Sequence, residues 1–300
     1  MDAIPFDDRD GVIWFDGEMI PWRQATIHIL SHALHYASSV FEGERSYGGK
    51  IFKLTEHSER FQMSAETLGF ELPYSVAEID AACIETCEAN GIVDGYVRPV
   101  AWRGSEMMGV SAQETRIHVA IAAWAWPSYF SPEARMKGIR LKTSEWRRPS
   151  PETAPVKAKA AGLYMICTLA KHAAEDEGYH DCLMLDWRGH VAEATGANIF
   201  MVFGDGKLHT PTPDCFLDGS TRRTVIDLAA KRGIEVVERT IMPDELKNAT
   251  EIFLTGTAAE VTPVGGIDDL KFAVGDITKW MMEDYDKAVG KVATDDEAAA

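Results

Sequence analysis

Pro127-Ser-Tyr-Phe-Ser-Pro-Glu-Ala-Arg-Met-Lys-Gly138 has neither helical nor strand periodicity and carries two prolines, so it reads as the connection between two folded regions. On its N-terminal side, Val12-Ile-Trp-Phe15 and Glu18-Met-Ile-Pro21 flank Asp16-Gly17, a pair that supplies the positive φ angles of a tight hairpin. Gly48-Gly49 signals a second hairpin between Glu44-Arg-Ser-Tyr47 and Ile51-Phe-Lys-Leu54. Helices are predicted from about Glu56 to Leu68 and, behind the capping box Ser75-x-x-Glu78, as far as Asn90-Gly91; strands follow at Tyr96 to Trp102 and Ile117 to Trp126. On the C-terminal side the pattern restarts. Strands are predicted at Arg140 to Trp146, Cys182 to Trp187, Val191 to Ala194, Asn198 to Val202, Glu235 to Thr240 and Glu251 to Leu254, and helices at about Gly162 to Glu177, Thr221 to Arg232 and Asp276 to Val289. The fold class is α+β: residues 1–126 form a smaller N-terminal α/β domain, 127–139 the connection, and 140–300 a larger C-terminal domain with a frayed acidic tail.

At 300 residues the chain is long enough for two such domains, and 46% hydrophobic residues with 8 Trp, 12 Phe and 8 Tyr give each a packed interior. Asp plus Glu number 47 against 30 Lys plus Arg, a net charge of −17. That balance argues against nucleic acid or an anionic membrane as partner, though a local cluster of donors can still hold a small anion. The five cysteines, Cys83, Cys87, Cys167, Cys182 and Cys215, are odd in number and make no C-x-x-C pair. Neither a disulfide framework nor a zinc ribbon is indicated, and the reducing cytoplasm is the expected compartment. No apolar run approaches the roughly 20 residues of a membrane span, and the acidic start lacks a signal-peptide core.

Nucleotide-binding glycine loops, the G-x-S-x-G elbow and H-E-x-x-H are all absent. His28, His32 and His35 have i, i+4, i+7 spacing, but no carboxylate or thiol accompanies them; they read as packing and hydrogen-bonding residues, and no metal is expected. Lys157 and Lys159 sit among small residues in Pro155-Val-Lys-Ala-Lys-Ala-Ala-Gly162. Partial burial there lowers a lysine pKa and makes its amine nucleophilic toward an aldehyde, an argument that serves either lysine equally. Asp218-Gly-Ser-Thr-Arg222 puts Gly219, Ser220 and Thr221 at the mouth of a helix, where amides and the dipole favour phosphate. Leu254-Thr-Gly-Thr-Ala-Ala259 offers a glycine turn with Thr257, and Arg60 a balancing cation.

Five segments in order resemble the fold type IV, or class IV, aminotransferases dependent on pyridoxal phosphate. They are Trp14-Phe-Asp-Gly-Glu18, Ser31-His-Ala-Leu-His-Tyr-Ala-Ser-Ser-Val-Phe-Glu-Gly-Glu-Arg45, Lys159-Ala-Ala-Gly162, Val191-Ala-Glu-Ala-Thr-Gly-Ala-Asn-Ile-Phe200 and Thr255-Gly-Thr-Ala-Ala-Glu-Val-Thr-Pro263. The similarity runs from about Gly11 to Ile267 and is greatest to the bacterial branched-chain-amino-acid aminotransferases. It implies a two-domain fold like that of D-amino acid aminotransferase, with the active site at the domain interface. It also implies that Lys159, ahead of small-small-Gly-x-Tyr164, is the cofactor-linked catalytic lysine, and that Glu193 faces the pyridine nitrogen. Phosphate binding falls by resemblance to Arg60, Gly219, Ser220, Thr221, Gly256 and Thr257, with Leu217 against the ring and Tyr164 beside its oxygen.

The same resemblance implies a substrate pocket with an apolar wall of Tyr36, Phe41, Tyr129 and Tyr164, lined also by Gly43 and Arg45. Tyr96 and Arg98 form a polar corner for the distal carboxylate of glutamate, and the amides of Thr257 and Ala258 receive the α-carboxylate. Met107-Met-Gly-Val110 matches a loop, ending in Val110, that the family donates across a dimer, so a homodimer or larger homo-oligomer is implied. The expected reaction converts L-Leu, L-Ile and L-Val with 2-oxoglutarate to 2-oxo acids and L-glutamate. The alternatives are a class IV enzyme for D-amino acids, (R)-amines or aminodeoxychorismate, or an inactive binding protein. Departures from the family pattern include Ala197 where a glutamate is frequent, Ser220 where an isoleucine is, and Glu44 where an apolar residue is.

Overall fold

The computed structural model describes residues 4–126 and 136–291. These pack as two units: residues 4–126 with Ala158–Gly162, and residues 136–157 with 163–291. The lysine segment 158–162 therefore packs with the first unit rather than with the strand that precedes it.

In the first unit, β1 (Val12–Phe15), β2 (Glu18–Pro21), β3 (Ser39–Phe41), β4 (Glu44–Tyr47), β5 (Lys50–Ile51), β6 (Gly95–Arg103) and β7 (Ile117–Ala125) make one sheet in the order β2-β1-β7-β6-β4-β5, with β3 also on β6. Asp16 and Gly17 adopt φ of 49° and 99°, the left-handed pair that the β1–β2 hairpin requires. The expected strand from Ile51 to Leu54 is cut to Lys50–Ile51, because Lys53 turns left-handed and the helix α2 (Leu54–Thr67) starts there, earlier than Glu56. A short helix α1 (His32–Tyr36) precedes it, and α3 (Val76–Ala89) begins at the predicted capping box, with Ser75 Oγ accepting from the Glu78 amide and Glu78 accepting from the Ser75 amide. Phe61 and Ala65 of α2 and Ile79, Cys83 and Cys87 of α3 cover alternate residues of the long strands, Val97 and Ala101 of β6 and Val119, Ile121 and Ala123 of β7.

The second unit is a closed sheet. β8 (Ile139–Arg148), β9 (Asp181–Asp186), β10 (Val191–Ala194), β11 (Asn198–Val202), β14 (Glu251–Gly256) and β15 (Glu260–Ile267) run β10-β9-β8-β15-β14-β11, and β10 pairs again with β11 through Glu193 and Asn198. β12 (Leu208–Pro211) and β13 (Val236–Arg239) extend this barrel beyond β11, and β16 (Leu270–Lys271) pairs with β15. Leu141, Leu183, Val191, Ile199, Met201, Leu254 and Val264 fill its interior. β8 and β9 are parallel, so a crossover is needed, and α4 (Met165–Asp176) supplies it after a 3₁₀ turn at Ala161–Tyr164. The helix predicted from Gly162 thus begins only at Met165. Helices α5 (Ser220–Lys231) and α6 (Asp276–Ala288) complete the unit. β12 and β15 have no counterpart among the predicted strands. Residues 127–135 of the expected connection and 294–300 of the tail lie outside the described residues. No helix among those described is long and apolar enough to cross a membrane.

Glu44 is the misfit in the first core. It is fully buried on the helix-facing side of β4, and its two carboxyl oxygens have no partner beyond the weak thiol of Cys83. Burial, followed by the charge of Glu42, pushes its pKa well above the carboxylate range. A folded-state pKa above the unfolded one means that stability is lost as pH rises between the two values, at about 1.4 kcal/mol per pH unit. Glu44→Ile should therefore raise the unfolding midpoint at pH 7, and the gain should grow from pH 5 to pH 8 in urea titrations. A pH-independent gain would show that Glu44 folds already ionised.

Candidate active site

In the first unit, the backbone of Lys159 is held at both ends. Its N–H donates to Ser64 Oγ at 3.0 Å, its carbonyl accepts the Phe41 amide at 3.1 Å, and Ala160 bridges Val40. Lys159 is half-buried with Nζ 5.0 Å from the centre of the Phe41 ring, whereas Lys157 is exposed. Of the two lysines left open by the small-residue argument, only Lys159 has the partial burial that argument needs.

Arg60, one turn beyond His57 on α2, grips Glu42: Nε and Nη2 donate to the two carboxylate oxygens at 2.7 and 2.8 Å. His57 Nδ1 lies 2.8 Å from the same carboxylate. Burial alone would raise the pKa of Glu42, which is fully buried, but the charge and hydrogen bonds of Arg60, with His57, hold it well below the usual range. Burial lowers the His57 pKa against the pull of Glu42, so His57 is a neutral ring whose Nδ1–H donates. Arg60, expected as a phosphate cation, is thus presented with its fork already locked by a carboxylate.

Phe41, Gly43, Tyr96 and Arg98 form one cluster. Arg98 Nη2 donates to Tyr96 Oη at 3.2 Å, and its guanidinium carbon stands 4.8 Å from the Phe41 ring centre. A Cβ on Gly43 would fall 1.9 Å from Tyr96 Oη, so only glycine lets the phenol occupy this place. Of the other expected wall residues, Arg45 is buried on β4 as the cross-strand partner of Tyr96 with its guanidinium over Tyr47, Tyr36 is exposed and stacks on His32, Val110 is 88% exposed, and Tyr129 lies outside the described residues. The histidines are tied locally: His32 to Ser38 Oγ and the Gly109 carbonyl, His35 to the Ile29 carbonyl, and His28 to the Leu30 amide.

In the second unit, Glu193 projects from β10, nearly buried, with Arg148 Nε 3.3 Å from one carboxylate oxygen and Asn198 Nδ2 donating to the other at 3.2 Å. Arg148 is itself buried and reaches Cys167 Sγ at 3.3 Å; burial pushes that thiol up to about 11, so it meets the guanidinium in neutral form. Asn198 is the hub. Its Nδ2 also donates to the Leu217 carbonyl at 2.9 Å, and its Oδ1 accepts the Gly219 amide at 3.2 Å. A Cβ on Gly219 would stand 2.4 Å from Oδ1, which is why glycine precedes α5 here. Ser220 and Thr221 open that helix, both nearly buried, where first-turn amides have no intrahelical acceptor; Ser220 Oγ, too, is buried without a partner. This is a cradle for an anionic group, and the residues present fit a phosphate. Thr257, Ala258 and Ala259 form the β14–β15 turn, and Gly256 at the end of β14 packs so closely on Gly196 and Ala197 that a Cβ there would lie 3.2 Å from the Gly196 carbonyl oxygen. Tyr164 ends the 3₁₀ turn half-buried.

Sequence reading gave no role to Glu42, Arg148 or Asn198. For Glu42 a signal was present in His57 and Arg60, one turn apart on a helix. Among the described residues one group could offer metal ligands, Asp186, Asp214 and Cys215, but Arg188 spans both of its carboxylates.

Residues 39–267 match the family model for amino-transferase class IV. The chain is 43% identical over 272 residues to the branched-chain-amino-acid aminotransferase of Pseudomonas aeruginosa, covering 89% of this chain and 88% of that one. It superposes on the branched-chain aminotransferase of Thermoproteus uzoniensis with norvaline at a TM-score of 0.89, with 37% identity, 95% of this chain and 97% of that one covered. An aminotransferase from Brucella abortus bound to the co-factor PLP gives 0.83, with 32% identity and coverage of 93% and 99%. The fold is type IV.

Asn198→Ala leaves three polar groups in the second unit short of a partner: the Glu193 carboxylate, the Leu217 carbonyl and the Gly219 amide. Each unmet group costs about 1–3 kcal/mol when dry, so urea denaturation should show a loss of at least about 2 kcal/mol. A loss under about 0.5 kcal/mol would show that water replaces all three contacts.

Proposed function

The chain belongs to the class IV aminotransferase family, and from that premise we propose that it transfers the amino group of leucine, isoleucine and valine to 2-oxoglutarate, with pyridoxal phosphate as cofactor. The observation that carries this reading is the Phe41–Gly43–Tyr96–Arg98 cluster: an aromatic surface for an aliphatic side chain with the Arg98 guanidinium held over its rings. One pocket must accept leucine in one half-reaction and glutamate in the other, and this cluster offers a surface for each.

When bound, pyridoxal phosphate supplies a carbonyl that takes up the amino group and a ring that draws electrons from the substrate Cα. The protein does the rest. By resemblance, Ser220 Oγ, the first amides of α5, Thr257, Leu217 and Arg60 are the residues that would hold the cofactor. Glu193, with Arg148 and Asn198 against its two oxygens, would keep a proton at the ring nitrogen. Lys159 Nζ would carry the proton to and from the substrate Cα. The amides of Thr257 and Ala258 take the α-carboxylate, and Arg98 with Tyr96 Oη takes the distal carboxylate of glutamate.

We place the protein in the cytoplasm as a homodimer. All five cysteines are buried and unbridged, which suits a reducing compartment. Ile27, Ile29, Leu30 and Leu34 around α1, with Met108 and Val110 of the loop that His32 ties to α1, are exposed apolar residues on one unit, a surface that a second copy would cover.

A substrate panel with pyridoxal phosphate and 2-oxoglutarate tests the reading: L-Leu, L-Ile and L-Val should exceed D-Ala and (R)-1-phenylethylamine, and dominance of either of the last two would refute it. In single-turnover measurements, Arg98→Ala should lower kcat/KM for glutamate by roughly ten- to a hundredfold and change the leucine half-reaction much less. Equal losses would move Arg98 to the α-carboxylate or the fold.

A further inference from the structure

At the end of the barrel where β10 turns into β11 and β14 into β15, the second unit contains a cavity of about 190 Å³. Nucleotide- and drug-sized ligands occupy roughly 300 Å³ or more, so the space suits a small metabolite. Its floor is apolar and continuous with the barrel core: Ile139, Ala197 and Leu254, each less than one-tenth exposed. Its rim is charged. Lys171 Nζ stands 3.8 Å from Asp181 Oδ2 and 4.0 Å from Glu175, beyond hydrogen-bond reach of either. Asp181 Oδ1 is engaged by Thr195 Oγ1 at 2.6 Å and the Cys182 amide at 2.7 Å, leaving Oδ2 turned toward Lys171.

Ala197 is among the residues that line the cavity. A glutamate there, frequent in the family pattern, would add bulk and a negative charge to this lining. A cation and an anion about 4 Å apart above an aliphatic floor complement a zwitterion that carries an aliphatic tail. We propose that this cavity is a second site for a free apolar α-amino acid of valine or leucine size, its carboxylate on Lys171, its ammonium on Asp181 Oδ2 and its tail on Ile139 and Leu254. Ala258 and Ala259 also line the cavity. Occupancy therefore bears directly on the Thr257–Ala259 turn, whose opposite role is to present amides to the substrate α-carboxylate, so the bound amino acid tunes the enzyme's affinity for its substrates. This last clause rests on the function proposed above; the binding itself does not.

Holoenzyme tests it. The visible absorbance band is recorded first, so that a failure of the cofactor reading is seen before any titration. Borohydride then fixes the cofactor to the protein, and the reduced holoenzyme is titrated calorimetrically with L-leucine. The expected result is a binding event that Lys171→Ala weakens by at least about tenfold, that Ala197→Glu abolishes while keeping the absorbance band, and that Phe41→Ala, which removes the aromatic surface proposed for the substrate's aliphatic side chain, leaves unchanged. Binding lost in Phe41→Ala but intact in Lys171→Ala and Ala197→Glu would put the leucine in the reaction pocket and overturn the proposal. So would the absence of any binding at millimolar leucine.

Discussion

Three backbone contacts decide where the chemistry of this protein sits. Residues 158–162 follow a strand of one unit yet pair with the other, through Phe41 N–H to the Lys159 carbonyl, Lys159 N–H to Ser64 Oγ, and the Val40–Ala160 bridge. Backbone hydrogen bonds fix direction as well as position, so they settle which side chain of Pro155–Gly162 turns inward. Lys159 is half-buried beside Phe41, and Lys157, two residues away, stays in solvent. The small residues Ala158, Ala160 and Ala161 permit this close approach; any larger side chain at the bridge would hold the segment off β3.

Within each unit the buried charges are arranged by one rule. No buried carboxylate assigned to function stands alone, because an unpaired charge in a core costs several kcal/mol. Glu42 has Arg60 and His57, and Glu193 has Arg148 and Asn198. The pairing has a functional consequence. A carboxylate held on both oxygens keeps its orientation when a positively charged partner arrives, which is what a group meant to retain a proton on a ring nitrogen requires. Glu44 shows the contrast: no hydrogen-bonded cation meets it, and burial pushes its pKa well above the carboxylate range.

Local signals in the sequence translated directly into structure. Asp16-Gly17 forced its hairpin and Ser75-x-x-Glu78 its helix start, because each motif satisfies its own backbone without help from elsewhere. Elements that depend on distant partners were silent. Glu260–Ile267 contains Pro263 and Gly265-Gly266 and resembles a loop, yet it is a barrel strand because β14 and β8 flank it. Small neighbours and a helix mouth brought forward Lys157, Lys159 and the phosphate cradle; resemblance to a family chose Lys159 and added Glu193. Asn198 stayed hidden, although its motif was in view, because its role consists of contacts with residues 5, 19 and 21 positions away that only the closed sheet assembles.

The central claim is that the fold selects Lys159, and it is open to one direct measurement. Holoenzyme reduced with borohydride, digested and analysed by mass spectrometry should carry the phosphopyridoxyl label on the peptide containing Lys159, with Lys157 unmodified. Label on Lys157, or on neither lysine, would contradict the account, since the pairing of residues 158–162 with β3 leaves no other lysine of this segment half-buried.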